Sequence, residues 1–186
     1  MGERLFAAVL PPDDVVAELS RWVDPRRDDE WRWVDEADFH VTLAFYEDVD
    51  VWRYESLTER LTDAAARTAG FLLSLQSVGC FSSVDKAHVL YAATDDPTGS
   101  LSELASRCHT AATTSGVEVA RRKFHPHLTL ARRNRPVDAS RYVRALAELR
   151  TATWTVSEVA LVQSFLGAGP GGRPRYEVRE RLPLGR

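Results

Sequence analysis

The sequence predicts an α+β fold built on a mostly antiparallel sheet, and three observations lead there. Strand-like and helix-like apolar patterns interleave along all 186 residues. Neighbouring strand segments are joined by short, turn-rich stretches that suit hairpins better than crossover helices. No Ser/Gly-rich linker or low-complexity tract divides the chain, so residues 1–186 read as one domain.

Leu5 to Leu10 is an apolar run of strand length. Pro11-Pro12-Asp13-Asp14 ends it and opens a helix, since proline fits a first turn and acids suit the positive end of the helix dipole. Val15, Val16, Leu19 and Trp22 then recur at helical spacing. Phe39 to Phe45 alternates as a strand, and Val51 to Thr68, with Leu57 and Leu61 on one side, reads as an amphipathic helix. Phe71 to Val78 and His88 to Thr94 are strands around the turn Gly79 to Asp85. The helix Ser100 to Thr114 is closed by Gly116, placed where a left-handed residue caps a helix end. Val117 to Arg121 and His127 to Leu130 are short strands, and Asp138 to Arg150 is a helix. Trp154 to Phe165 and Tyr176 to Leu182 are the last strands, separated by the loop Gly169-Pro170-Gly171-Gly172.

Composition narrows the function classes. With 44% hydrophobic and 27% charged residues the chain is globular, neither disordered nor fibrous. Its 24 basic and 27 acidic residues leave a net charge of -3, which excludes a general polycation. The charge is uneven: residues 13–50 hold thirteen acids and four arginines, whereas residues 121–135 hold Arg121, Arg122, Lys123, Arg132, Arg133 and Arg135 and no acid. An anionic partner would meet the second region. The longest uncharged run, Thr68 to Val84, carries Ser, Gln and Gly and cannot span a membrane. Leu5 to Leu10 is too short for a signal-peptide core and has no small-residue cleavage site after it, so a cytoplasmic protein is expected. Cys80 and Cys108 stand far apart with no metal-binding spacing, which reads as two core thiols.

The chemistry lies in a duplication. Phe39-His40-Val41-Thr42-Leu43-Ala44 and Pro126-His127-Leu128-Thr129-Leu130-Ala131 place two His-apolar-Thr-Leu tetrads 87 residues apart, one in each half. In a strand, residues i and i+2 share a face, so His40 projects with Thr42 and His127 with Thr129, while the apolar residues face the core. A single histidine in a strand is commonly an interior residue; a second identical setting points to a site. By the same parity Phe45 and Phe39 belong with Val41 and Leu43 on the buried face, and Phe6 and Trp33 stay open as base-stacking candidates. Arg132 falls on the side away from His127, reaching it only where the strand ends or bulges after Leu130.

The tetrads resemble the signature of the two-histidine (2H) phosphoesterase superfamily. With RLFAAVLPPDDV at the start, VGCF at residues 78–81, FHPHLTLAR at 124–132, VALVQSF at 159–165 and RYEV at 175–178, the chain resembles the RNA 2',3'-cyclic phosphodiesterases of the LigT/ThpR type over nearly its whole length. It departs from their common pattern at Tyr46-Glu47, where Leu-Gly is usual, and at Ser82, where proline often stands. The resemblance implies a bilobal LigT-like fold, two pseudo-symmetric lobes of mostly antiparallel sheet plus helices flanking a central cleft, each lobe giving one tetrad.

It also implies an enzyme that hydrolyses 2',3'-cyclic phosphate ends of RNA or nucleotides to 2'-phosphomonoesters without metal or other cofactor. Opening a cyclic phosphate needs a base for water and an acid for the departing ribose oxygen, and two imidazoles supply both near neutral pH. The resemblance assigns His40 as proton donor and His127 as proton acceptor. Thr42, Thr129 and Arg132 are the expected phosphate-binding residues, as hydroxyls and a guanidinium fork match phosphate oxygens. His125 and His127 form a His-x-His that could chelate a metal, yet no carboxylates accompany it. The expected partner is RNA or a nucleotide with a cyclic end, bound by a monomer with no membrane association. Two alternatives stay open: a 2H phosphodiesterase acting on another cyclic phosphate or a 2',5' or 3',5' linkage, RNA 2',5'-ligation included, and a non-catalytic RNA-end-binding module.

Overall fold

A computed structural model of the protein describes residues 2–120 and 123–185. The strands are β1 (Glu3–Val9), β2 (Arg32–Trp33), β3 (Val41–Val49), β4 (Phe71–Phe81), β5 (Ala87–Asp95), β6 (His127–Val137), β7 (Trp154–Val156), β8 (Glu158–Phe165) and β9 (Arg175–Pro183). The α-helices are α1 (Asp13–Val23), α2 (Val51–Ala66), α3 (Ser100–Thr114) and α4 (Ser140–Ala145). The strands form one sheet in the order β7-β4-β5-β6-β3-β1-β8-β9, with every named pair antiparallel and β2 added beside β6. The predicted α+β class and its two halves are thus present: β9-β8-β1-β3 and β6-β5-β4-β7 meet where β3 touches β6.

One face of the sheet buries the main core. Leu5, Ala7 and Val9 of β1 and Val41 and Leu43 of β3 pack with Leu19 of α1, Leu57 and Leu61 of α2 and Leu104 and Cys108 of α3. These helix residues recur at three- and four-residue spacing, so each helix covers the sheet with a single stripe. Burial pushes the Cys108 thiol up to about 12. The opposite face carries a smaller cluster, Phe6, Ala8, Ala160 and Val162, bordered by Leu10, Phe45 and Tyr176. None of the helices among the described residues is long and apolar enough to cross a membrane.

Several expected boundaries shift. The α3 limits match, and Gly116 takes φ +73° beyond its end, where an added Cβ would meet Arg53 at 2.9 Å. The helix expected over 138–150 is regular only as α4, and the strand expected over 154–165 is interrupted at Ser157. Residues 117–120 form no strand and contribute a lone bridge from Val119 to Tyr46; Arg121 lies outside the described residues. Ser82 takes φ +75°, a conformation closed to proline, which accounts for the departure at that position.

Candidate active site

The two tetrads come together at the centre of the sheet. β3 and β6 are in register through one pair, Val41 with Leu128, each the residue after its tetrad histidine. Continuing that antiparallel register one step each way sets His40 across from Thr129 and Thr42 across from His127. An approximate two-fold axis therefore passes between Val41 and Leu128, and each histidine faces the other tetrad's threonine.

Both imidazoles are held the same way. Nδ1 of His40 donates to the Asp38 carbonyl at 2.6 Å, and Nδ1 of His127 donates to the His125 carbonyl at 2.7 Å. A carbonyl can only accept, so in each neutral ring the proton sits on Nδ1 and the lone pair on Nε2. Aromatic walls fix the ring planes: Phe6 at 4.8 Å and Tyr176 at 5.4 Å for His40, Phe81 at 4.7 Å and Tyr91 at 5.4 Å for His127. Tyr91 also contacts Nε2 of His125 through its hydroxyl at 3.1 Å.

Burial among these rings disfavours the imidazolium form. It lowers His40 to about 4, with the nearby Arg132 and His127 adding to the effect against the opposing pull of the Asp38 carbonyl. His127 is lowered by burial too, then by His125 and Arg132, and its own carbonyl partner counteracts this. Near pH 7 the ligand-free protein therefore holds two neutral imidazoles.

Each tetrad is followed by a β-bulge at its leucine. Along β3 the partners of β1 step from Thr42 to Ala44, leaving Leu43 unpaired; along β6 the partners of β5 step from Thr129 to Ala131, leaving Leu130 unpaired. Leu43 and Ala44, like Leu130 and Ala131, are consecutive residues that both join the main core, whereas regular alternation would send one to each face. After the bulge the parity is inverted. Arg132 returns to the cleft, where its Nη2 donates to Oγ1 of Thr129 at 3.2 Å, so the condition set for it is met at Leu130 itself. Phe45, assigned by parity to the buried face, instead lies on the cleft side, stacked on Phe6 at 5.4 Å. Phe39 keeps its expected place in the core.

A cavity of about 270 Å³ opens beside His40. His40, Thr129 and Arg132 line it together with Tyr176, Trp33 and Arg173. His127 and Thr42 stand outside its lining, at the other cross-strand pair of the β3–β6 contact. Trp33 enters through β2, which pairs Arg32 with Arg132 and Trp33 with Ala131 and so splints β6 at the bulge. Sequence reasoning missed Tyr176 and the two-residue β2; an aromatic in a distant strand and a pair of residues in a loop give no periodic signal. The larger cavity, about 740 Å³, lies between the start of α1 and the β7–β8 bend and contains neither histidine.

The basic stretch disperses. Arg133 donates to the Glu30 carbonyl at 2.8 Å, away from Arg132, and Arg121 and Arg122 lie outside the described residues. Among the described residues no three His, Cys, Asp or Glu side chains gather as a metal-ligand set.

Comparison with known proteins agrees with this arrangement. An RNA 2',3'-cyclic phosphodiesterase of Aeropyrum pernix is 30% identical over 151 residues, covering 78% of this chain and 84% of the relative. One of Geobacillus stearothermophilus is 30% identical over 154 residues, 82% of this chain, which spans only about half of that relative's length (47%). The crystal structure of Escherichia coli LigT complexed with 3'-AMP superposes with a TM-score of 0.79 at 27% identity, each chain covered over 100% of its length. The sequence model of the 2'-5' RNA ligase superfamily matches residues 11–165, a span that includes both tetrads. With that match over most of its length, the chain belongs to the 2'-5' RNA ligase superfamily, the two-histidine phosphoesterases.

Proposed function

We propose that the protein is a metal-independent phosphodiesterase that opens 2',3'-cyclic phosphate ends of RNA or nucleotides and leaves a 2'-phosphomonoester. The observation that carries this reading is the pair of imidazoles brought to adjacent strands by the Val41–Leu128 register, each with Nδ1 tied to a carbonyl, which leaves Nε2 to serve the reacting atoms. The activity named for the relatives supports the same substrate class.

His127 acts as proton acceptor. Its lowered pKa keeps Nε2 unprotonated, able to take a proton from a water attacking phosphorus. His40 acts as proton donor to the ribose 3' oxygen as the P–O3' bond breaks, and each turnover moves one proton onto His127 and removes one from His40. His40 gains its proton when the anionic substrate enters, because a negative phosphate beside a buried imidazole favours the charged ring. Thr42 and Thr129 donate to the non-bridging oxygens. Arg132 donates to Oγ1 of Thr129, which leaves the hydroxyl proton free to point at the phosphate, and its remaining donors offset charge growing on phosphorus oxygens.

The site is complete within one chain, which supports a working monomer, and the two free thiols fit a reducing cytoplasm. The family's name favours one second reading, formation of a 2',5' linkage from a cyclic end and a 5'-hydroxyl, which is the same chemistry with the alcohol in place of water. The test is hydrolysis of a nucleoside 2',3'-cyclic phosphate in excess EDTA, with products resolved. Turnover to the 2'-phosphate is expected; a 3'-phosphate product, or no turnover of either a nucleotide or a longer RNA, overturns the reading.

A further inference from the structure

Beyond the tetrads, the cleft side of the first lobe carries a ladder of stacked groups. Phe6 lies 4.8 Å from the His40 ring, Phe45 stacks on Phe6 at 5.4 Å and 15°, and the Arg4 guanidinium carbon stands 4.5 Å over Phe45. Arg4 shares a face with Phe6 because they are two residues apart in β1. Like nine others of the nineteen arginines among the described residues, Arg4 pairs with no carboxylate. Its Nε is buried with no hydrogen-bond partner. A guanidinium drawn partly out of water with no ion pair is unfavourable until an anion joins it through its other nitrogens. Arg132 already serves the reacting phosphate, and two aromatic rings separate Arg4 from His40, so the anion that Arg4 awaits is a different one.

We propose that Arg4, held over the Phe45 ring, is a subsite for a backbone phosphate upstream of the reacting end of single-stranded RNA. The guanidinium edge takes phosphate oxygens through paired N–H donors, and a guanidinium plane can stack a base, the two features that single strands present in alternation. The protein is thereby a reader of oligonucleotide ends more than of free cyclic nucleotides. This rests on the phosphodiesterase reading for the identity of the reacting end.

The experiment compares a nucleoside 2',3'-cyclic phosphate with a short RNA ending in the same group, for wild type, Arg4→Gln and Arg4→Lys. Wild type is expected to favour the RNA. Arg4→Gln is expected to lower the ratio of the two kcat/KM values about tenfold, the scale of one charge-assisted contact, and to reduce the salt slope of RNA binding by about one ion. Arg4→Lys, which keeps the charge and loses the plane, should recover part of the ratio. An unchanged ratio in Arg4→Gln, or an equal loss on both substrates, overturns the subsite. Should wild type turn over neither substrate, the phosphodiesterase reading fails, and binding of the RNA by fluorescence anisotropy then decides the subsite: about tenfold weaker binding by Arg4→Gln at low salt sustains it, and equal binding removes it.

Discussion

Phe45 and Arg132 occupy equivalent positions in the two halves of the protein. Each lies three residues past its tetrad threonine and just beyond a bulge, and each has been turned from the core side to the cleft side by that bulge. One half thus presents an apolar ring and the other a cation at the same point of a nearly two-fold frame. The frame is symmetric and the substrate is not, so this pair of residues gives the cleft its direction.

Arg132→Ala should reduce kcat/KM about 10²-fold, the loss of a multiply bonded guanidinium from a growing negative charge, with Arg132→Lys only partly better. It should also raise the His40 pKa, because Arg132 is one of the charges holding it down. Steady-state kinetics and an NMR titration of the His40 ring read the two effects; a variant with unaltered kinetics removes Arg132 from the site.

His40→Ala and His127→Ala should each cost at least about 10²-fold in kcat, the lower range for general acid–base groups. Near-wild-type turnover by either variant contradicts the assigned pair.

The pH profile follows from the depressed pKa values. Reaction needs one proton on the pair, a state present in the free protein between about 4 at His40 and a value below 6.5 at His127. kcat/KM should therefore be a bell on the acid side of pH 6.5, falling above it as the pair loses its last proton. The basic limb of kcat should move upward, since bound phosphate stabilises the imidazolium. A kcat/KM plateau continuing above pH 7.5 is incompatible with this scheme.

Stability should respond with a definite sign. His40 is lowered in the fold from 6.5 to about 4, so the unfolded chain binds more protons between those values. The contribution is complete above pH 6.5 and is lost as pH falls through about 4, amounting to about 3 kcal/mol with His127 acting in the same direction. Urea titrations at pH 7.5 and pH 4.5 should show the midpoint dropping, and His40→Ala should flatten the difference.

Ser82, at φ +75°, bears a left-handed conformation at the end of β4. Ser82→Gly should raise stability by about 1 kcal/mol, detectable as a higher Tm, because glycine reaches this region without a Cβ conflict.

The sequence was legible where packing is periodic. α3 and the tetrad faces follow from spacing, since a helix stripe and a strand alternation are local properties of the chain. The bulge after Thr42 overturned the parity placement of Phe45, and the bulge after Thr129 met the condition under which Arg132 reaches the cleft; neither is marked by apolar pairing alone, since Leu5 to Val9 run apolar through β1 as well. The end of the 138–150 segment looked helical through Leu146 and Leu149, yet Leu149 accepts from Ser77 and Thr151 donates to Leu75, so cross-chain hydrogen bonds draw this stretch out toward β4. Tyr176 and Phe6 become walls of His40 only through the order of the strands, which no local pattern carries.

The clamp on each imidazole comes from the peptide backbone two residues earlier and owes nothing to the Asp38 or His125 side chains. The ring tautomer is therefore indifferent to the side chain at those positions: a substitution at Asp38 or His125 leaves Nδ1 of the following histidine its carbonyl, and the charge it brings can still move the imidazole's pKa, as His125 does for His127.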